Sequence, residues 1–347
     1  MQINKERRLY ELDALRGIAA LAVCLFHFDF LKCGVTGVDL FFMISGFVIF
    51  MSITNAKSLK EFWIARVARL YPVYWLSLLI AALVCTACIL TLFPLKFSFV
   101  ISNLLMLQPL FKANYFVGVS WTLYVEMLFY LFVSILWLTR QFKHVEVIIF
   151  ICLLLVTLTH TTYLFLQNRP SSYNSAFIFL REIFPIISHF HLFAAGMIFY
   201  QVYSKGINFN RVALLALAFV AAALAHGIGG RVFYFLNVYQ HLACILVFYL
   251  AFTLIIWDKG KFLKLKFMVL LGDISYPLYL VHGTIGIYLA INLLPLMGTI
   301  LSNIAGILAA LIASYIITFY YDIPVRHWIK KKLLVPIPLL VEENVTI

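Results

Sequence analysis

Charge is what this sequence has least of. Asp, Glu, Lys and Arg make up 12% of its 347 residues, about half the share of a soluble globular domain. Acids are scarcer than bases, 14 against 26. No polar stretch is long enough for a separate soluble domain, and there is no solenoid-type repeat or low-complexity segment. No glycine-rich phosphate loop, His-x-Glu zinc pattern or exposed serine elbow appears, so a phosphate-loop enzyme, a zinc hydrolase and a serine hydrolase are all disfavoured. No small-residue cleavage site follows Lys5, Arg7 and Arg8, so the first apolar segment reads as a retained span. Cysteine is sparse too: Cys24, Cys33, Cys85, Cys88, Cys152 and Cys244, nearly all in mid-span. Cys85 and Cys88 form a C-x-x-C, but it lacks the second half of a zinc site and the electropositive setting of a redox pair. These cysteines read as packing residues, and no metal is expected.

What is present is apolar. Hydrophobic residues make up 64% of the chain and the mean hydropathy is +1.02. Runs long enough to cross a bilayer recur from end to end. The expectation is an all-α polytopic membrane bundle of about ten spans, roughly 12–31, 37–54, 71–93, 119–139, 146–165, 183–203, 212–228, 233–256, 269–291 and 300–321. The whole of 1–347 reads as one membrane domain, with 322–347 a basic tail. The net charge of +12 suits nucleic acid at first sight, but membrane orientation explains it better. Nineteen of the 26 Lys and Arg residues fall in loops on one side and six on the other, with Arg16 left inside a span. That asymmetry places both termini in the cytoplasm. Membrane lipids are the expected surroundings, and nucleic acid is not an expected partner.

Chemistry then has to come from the few polar groups the spans tolerate. In "LRGIAALAVCLFH" Arg16 and His27 are eleven residues apart, which is about 1100° of helical rotation and about 16.5 Å of rise. Both therefore share one face. The plain reading is a snorkelling arginine and a core histidine. The functional one is a guanidinium for phosphates and an imidazole for base catalysis, the two ends of a channel for a long donor. The pantetheine arm of coenzyme A has about that reach. "GVDLFFMISGF" places Asp39 near His27, either as an orienting or substrate-binding acid or as a helix-start acid; Ser45 beside Gly46 suits close packing or a polar contact. Arg66 and Arg69, three apart, are either cytoplasmic anchors or ligands for donor phosphates. Glu126 sits among Trp121, Tyr124, Phe129 and Tyr130 and needs a partner there; orienting His27 is one candidate role. Trp121 is also suited to an interfacial belt. His189 and His191, about 200° apart on a helix, do not form a metal pair. Tyr279 and His282 share a face near Ser275 and Tyr276, lining a cavity or bonding within the core.

Together "LDALRGIAALAVCLFH", "GVDLFFMISGFVI", "RVARLYPVYW", "SWTLYVEMLFYLF" and "LGDISYPLYLVH", in that order over about residues 12–325, resemble the acyltransferase 3 family of multipass membrane O-acyltransferases. The resemblance implies acyl transfer, commonly acetyl, from cytoplasmic acyl-CoA to a hydroxyl of a saccharide or related cell-envelope acceptor, in a bacterial inner membrane. Acyl-CoA is then a donor substrate, with no permanently bound cofactor. The resemblance assigns the signature arginine and histidine to Arg16 and His27, the arginine pair to Arg66 and Arg69 and the fourth-span acid to Glu126. Asp39 joins His27 and Glu126 as a catalytic candidate; Ser45, Trp121, Tyr130, Tyr279 and His282 are the acceptor-side candidates. Two departures stand out. Asp322 occupies the place of a glutamate before "IP", and either His189 or His191 takes the place of a basic residue before an F-x-x-G stretch. No SGNH-type domain is expected after the last span. The rival classes are a transporter or flippase, for which no internal symmetry is visible, and an acyl-CoA-binding sensor without turnover.

Overall fold

In hydrocarbon every backbone amide must find its partner within the chain, which for apolar runs of this length leaves the helix. The computed structural model describes residues 8–84, 96–166, 178–227 and 231–334. Among them every regular element is helical, as the composition predicts. The long helices are α1 (Tyr10–His27), α2 (Gly37–Asn55) and α3 (Leu59–Val84). A short α4 (Phe97–Leu105) precedes α5 (Trp121–Leu138), α6 (Val145–Leu166), α7 (Ile186–Lys205) and α8 (Phe209–Gly227). The five-residue α9 (Arg231–Phe235) leads to α10 (Val238–Ile256), α11 (Lys266–Val281), α12 (Tyr288–Ile317) and α13 (Ile323–Leu334). Cys85, Cys88 and the chain beyond residue 334 lie outside the described residues.

Among the described residues eight helices are long and apolar enough to cross a membrane, against about ten expected spans. The difference has two physical sources. Helix α1 carries Glu11, Asp13 and Arg16 within its 18 residues, so its apolar run is interrupted at one end. Expected spans nine and ten lie in one unbroken run, Lys266–Leu334. Within α12, Gly298 adopts φ 72° and ψ 173°, a conformation open to glycine at little cost. The backbones of Gly286 and Gly306 meet, with the Phe28 ring against both. The run is therefore a hairpin of two arms turning at Gly298.

Two glycine crossings draw the bundle together. A Cβ on Gly17 would lie 2.6 Å from the Gly272 amide, and one on Gly272 would strike the Asp13 carbonyl, so α1 and α11 touch backbone to backbone. Likewise Gly46 of α2 abuts the Phe193 carbonyl of α7, and Gly196 abuts that of Met43. Small residues permit this approach in place of a hydrophobic driving force, which lipid does not supply. Ion pairs reinforce the first crossing: Lys264 Nζ meets Glu11 at 2.8 Å, and Arg8 bridges Asp13 at 2.6 Å and Asp273. Around the second, Phe193 stacks on Phe129 at 4.3 Å and lies 4.9 Å from Phe42.

Replacing Gly46 or Gly196 by alanine forces α2 and α7 apart at a cost of about 1–3 kcal/mol. A melt of detergent-purified protein should show both variants with a clearly lowered Tm. Gly118→Ala, where nothing lies within 4 Å of the new Cβ, should melt like the parent; equal melting of all three would contradict the crossing.

Candidate active site

The polar groups of the spans gather around two adjoining cavities. The smaller, about 70 Å³, is lined by Arg16 of α1, Ser45 of α2, Arg66 and Arg69 of α3, Glu126 of α5, and Ser275, Tyr276 and Tyr279 of α11. The larger, about 540 Å³, is lined by His27, Asp39, Trp121, Arg181, Glu182, His189, His191, His226, His241 and Tyr279 among others. Val38 and Tyr279 line both and form the partition. Tyr279 is fixed in that place: its hydroxyl donates to the Val119 carbonyl at 3.1 Å and accepts from Thr122 Oγ1 at 3.0 Å. Its ring lies 5.5 Å from that of Phe41.

Arg16 and His27 thus face the same way along α1 but open into different chambers. Arg16 is largely buried, and its nearest carboxylate is Asp13 at 3.4 Å, which Arg8 also holds. Arg66 reaches Ser52 Oγ at 3.3 Å, and Arg69 has no carboxylate partner among the described residues. Glu126 belongs to this arginine chamber. Its Oε1 accepts from Ser45 Oγ at 3.1 Å and from the Tyr130 hydroxyl at 2.8 Å, and its charge attracts Arg16 and Arg66. Three guanidinium groups facing one carboxylate leave the chamber cationic, suited to an anionic ligand.

The larger chamber is a histidine chamber. His27 is half-buried, with its ring 5.0 Å from that of His282. His282 Nδ1 lies 3.1 Å from the Leu278 carbonyl; a carbonyl only accepts, so the proton is on Nδ1 and Nε2 keeps its lone pair. Asp39 bonds His241, Oδ2 to Nε2 at 3.0 Å, with both side chains buried. That carboxylate puts the His241 proton on Nε2. The His226 ring stands 5.3 Å away. Trp121 and Phe42 flank His189 at 5.4 and 5.0 Å, and Arg181 lies over the Tyr163 ring at 5.2 Å. Among the described residues no three His, Cys, Asp or Glu side chains are placed to hold a metal ion.

The structure therefore brings Arg16, Arg66, Arg69, Glu126, Ser45 and Tyr130 together, and places His27, Asp39 and Trp121 around the neighbouring chamber, with Tyr279 between; His282 does not line either cavity but is buried against the His27 ring. Asp39 is committed to His241, a residue the motifs pass over. Its only local sign is the capping box that starts α10: Asn237 Oδ1 accepts from the Gln240 amide at 2.9 Å and Gln240 Oε1 from that of Asn237 at 3.0 Å. This fixes the first turn and hence the direction of His241.

A helical membrane bundle with a cationic and a histidine chamber is the architecture into which the comparisons fit. The acyltransferase-domain model of the acyltransferase 3 family matches residues 9–320. The chain belongs to that family. It is similar to the peptidoglycan O-acetyltransferase OatA of Listeria monocytogenes, 34% identical over 21% of this chain and 13% of that protein. A Staphylococcus aureus protein provisionally named an O-acetyltransferase is 40% identical over 20% of this chain and 13% of its own length. A protein of Acidianus two-tailed virus, provisionally named an acetyltransferase, is 25% identical over 84% of this chain and 88% of that protein. The chain thus spans a small part of the bacterial relatives and most of the viral one. No solved structure matches.

Removing the Asp39 carboxylate leaves a buried His241 N–H without its acceptor, which costs about 1–3 kcal/mol. Asp39→Ala should lower the Tm of the purified protein, and Asp39→Asn, which keeps an acceptor oxygen, should recover much of it. An Asp39→Ala protein melting at the parent temperature would show that the pair holds nothing together.

Proposed function

We propose that this protein is an O-acyltransferase that moves an acetyl group from cytoplasmic acyl-CoA to a hydroxyl of a cell-envelope saccharide, in the inner membrane of a bacterium. The observation that carries the reading is the adjacency of the two chambers across Val38 and Tyr279, with Arg16 and His27 eleven residues apart on one helix, one opening into each chamber. A coenzyme A thioester has that layout: phosphates at one end, a flexible arm of about the length of α1's usable face, and the reacting carbonyl at the other. The O-acetyltransferase names of the relatives favour acetyl as the group, and the peptidoglycan acceptor of one of them favours an envelope glycan.

In this reading the donor phosphates bind Arg16, Arg66 and Arg69, with Glu126, held by Ser45 and Tyr130, limiting the excess of positive charge. The pantetheine arm passes Tyr279, so the thioester carbonyl stands beside His27. The acceptor occupies the 540 Å³ chamber, which offers Trp121 as an apolar platform and Asp39, Arg181, Glu182 and His189 as polar contacts. His27 takes the proton of the acceptor hydroxyl as its oxygen attacks the thioester carbonyl. The C–S bond breaks, the ester forms, and the imidazolium returns its proton to the departing thiolate. Transfer through an acyl-histidine uses the same residues in two steps.

His27→Ala should abolish transfer of label from acetyl-CoA to membrane glycan, a loss of at least about 10²-fold, with the variant inserted in the membrane at parental level. Nuclear magnetic resonance spectra of surface glycans should lose their O-acetyl signals in cells carrying only the variant. Full transfer by His27→Ala would sink the assignment.

A further inference from the structure

Helix α13 carries cations that the mechanism above leaves unused, and its packing brings two of them beside the stretch of α3 that bears Arg66 and Arg69. It lies along α3. One turn before it, the Tyr321 hydroxyl donates to the Pro72 carbonyl at 3.4 Å, which sets the register between the helices. Lys330 lies within electrostatic reach of Arg66, Arg69 and Arg326. Advancing from Tyr321 to Lys330 on one helix thus means retreating from Pro72 towards Arg66 on the other, so the two run antiparallel. At about 1.5 Å per residue, Arg326 stands level with the Arg66–Arg69 turn and Lys330 about one turn further from Pro72. Both side chains are partly buried.

The charges there do not balance within the protein. Arg326 is paired with Asp322, whose second oxygen is buried without a hydrogen bond, as is Arg326 Nε. Arg69 and Lys330 form no ion pair among the described residues, and Arg66 has only Glu126, which it shares with Arg16. Cations held together and half-desolvated are costly unless an anion sits among them. The order of groups along the bundle is equally specific: His27, then Tyr279, then Arg16 with Arg66 and Arg69, and then Arg326 and Lys330 on the helix packed against α3.

Resting on the acyl-CoA reading of the site, we propose that Arg326 and Lys330 form a separate subsite for a phosphate monoester, the 3′-phosphate of the donor's nucleotide end, while Arg16, Arg66 and Arg69 take its diphosphate. The monoester stands furthest from the thioester, as Lys330 stands furthest from His27. It also carries nearly two charges where each diphosphate unit carries one, and so calls for cations of its own. The ammonium of Lys330 meets such a group as a point charge, and the guanidinium of Arg326 supplies a buried N–H donor.

The test compares acetyl-CoA with 3′-dephospho-acetyl-CoA as donors for the full chain in membranes. The parent protein should have a KM about tenfold lower for acetyl-CoA, the worth of one charge-assisted hydrogen bond. Lys330→Gln should raise the KM for acetyl-CoA and not that for the dephospho donor, closing most of that gap. Lys331→Gln, one residue along the same basic helix, should keep the parental preference, which separates a local contact from a general loss of positive charge. Parent protein that transfers acetyl from both donors with equal KM, or Lys330→Gln that raises both KM values by one factor, overturns the subsite alone. Absence of transfer from either donor by the parent overturns the acyl-CoA reading and the subsite with it.

Discussion

A guanidinium cannot stand bare in hydrocarbon, and the placing of Arg16 organises much of what surrounds it. It needs carboxylates within reach, which Asp13 supplies from its own helix and Glu126 from α5. Asp13 lies one turn before Arg16 on α1, and the contact of α1 with α11 at Gly17 and Gly272 brings Asp273 and Lys264 to the same end and lets Arg8 bridge Asp13 to Asp273. Glu126 is steadied by Ser45 and Tyr130, and Ser45 precedes the glycine that lets α2 meet α7. The polar site and the glycine crossings are thus one construction: the contacts between helices, Arg8 with Asp273, Lys264 with Glu11 and Ser45 with Glu126, depend on the close backbone approach.

The same constraint divides the interior. Permanent cations collect in a small chamber, where a carboxylate and a ring of hydroxyls limit their repulsion. Histidines, which need not be charged, collect in the larger one, where aromatic rings and the Asp39–His241 pair hold them. Tyr279 stands between, its hydroxyl engaged on both sides, just ahead of the π-helical segment His282–Ile287. A wider turn of this kind is common at functional positions of helices. Here His282 opens the segment with its ring 5.0 Å from that of His27, while Tyr279 stays on the partition. Phosphate chemistry and proton-transfer chemistry are kept about three helical turns apart, a separation that matches a substrate whose phosphates and reacting carbon are far apart.

Helical period made a good part of this legible. The common face of Arg16 and His27 follows from the spacing alone, and the proximity of Arg66 to Arg69 follows from three residues on a helix. The partners were not legible, because they come from tertiary packing. Glu126 reads in sequence as a companion for His27, yet α5 delivers it to the arginines. Asp39 bonds a histidine 202 positions away, and nothing around His241 beyond a capping box marks it. His226 and His189 enter the site only because α7, α8 and α10 converge on one cavity. Apolar runs give the number of helices only approximately, since Gly298 folds one continuous run into a hairpin and the charges at the start of α1 hide a helix. Family membership, shown by a match over most of the chain, ties these motifs together where local pattern alone leaves each open.

The central claim is that one long donor bridges the two chambers past Tyr279, phosphates at Arg16 and reacting carbon at His27. Cryo-electron microscopy of the protein with a non-hydrolysable thioether analogue of acetyl-CoA tests it most directly. The account predicts density for the diphosphate among Arg16, Arg66 and Arg69, the arm alongside Tyr279, and the acyl carbon within contact of the His27 ring. An analogue lying wholly within one chamber, or with its phosphates among the histidines, would contradict it.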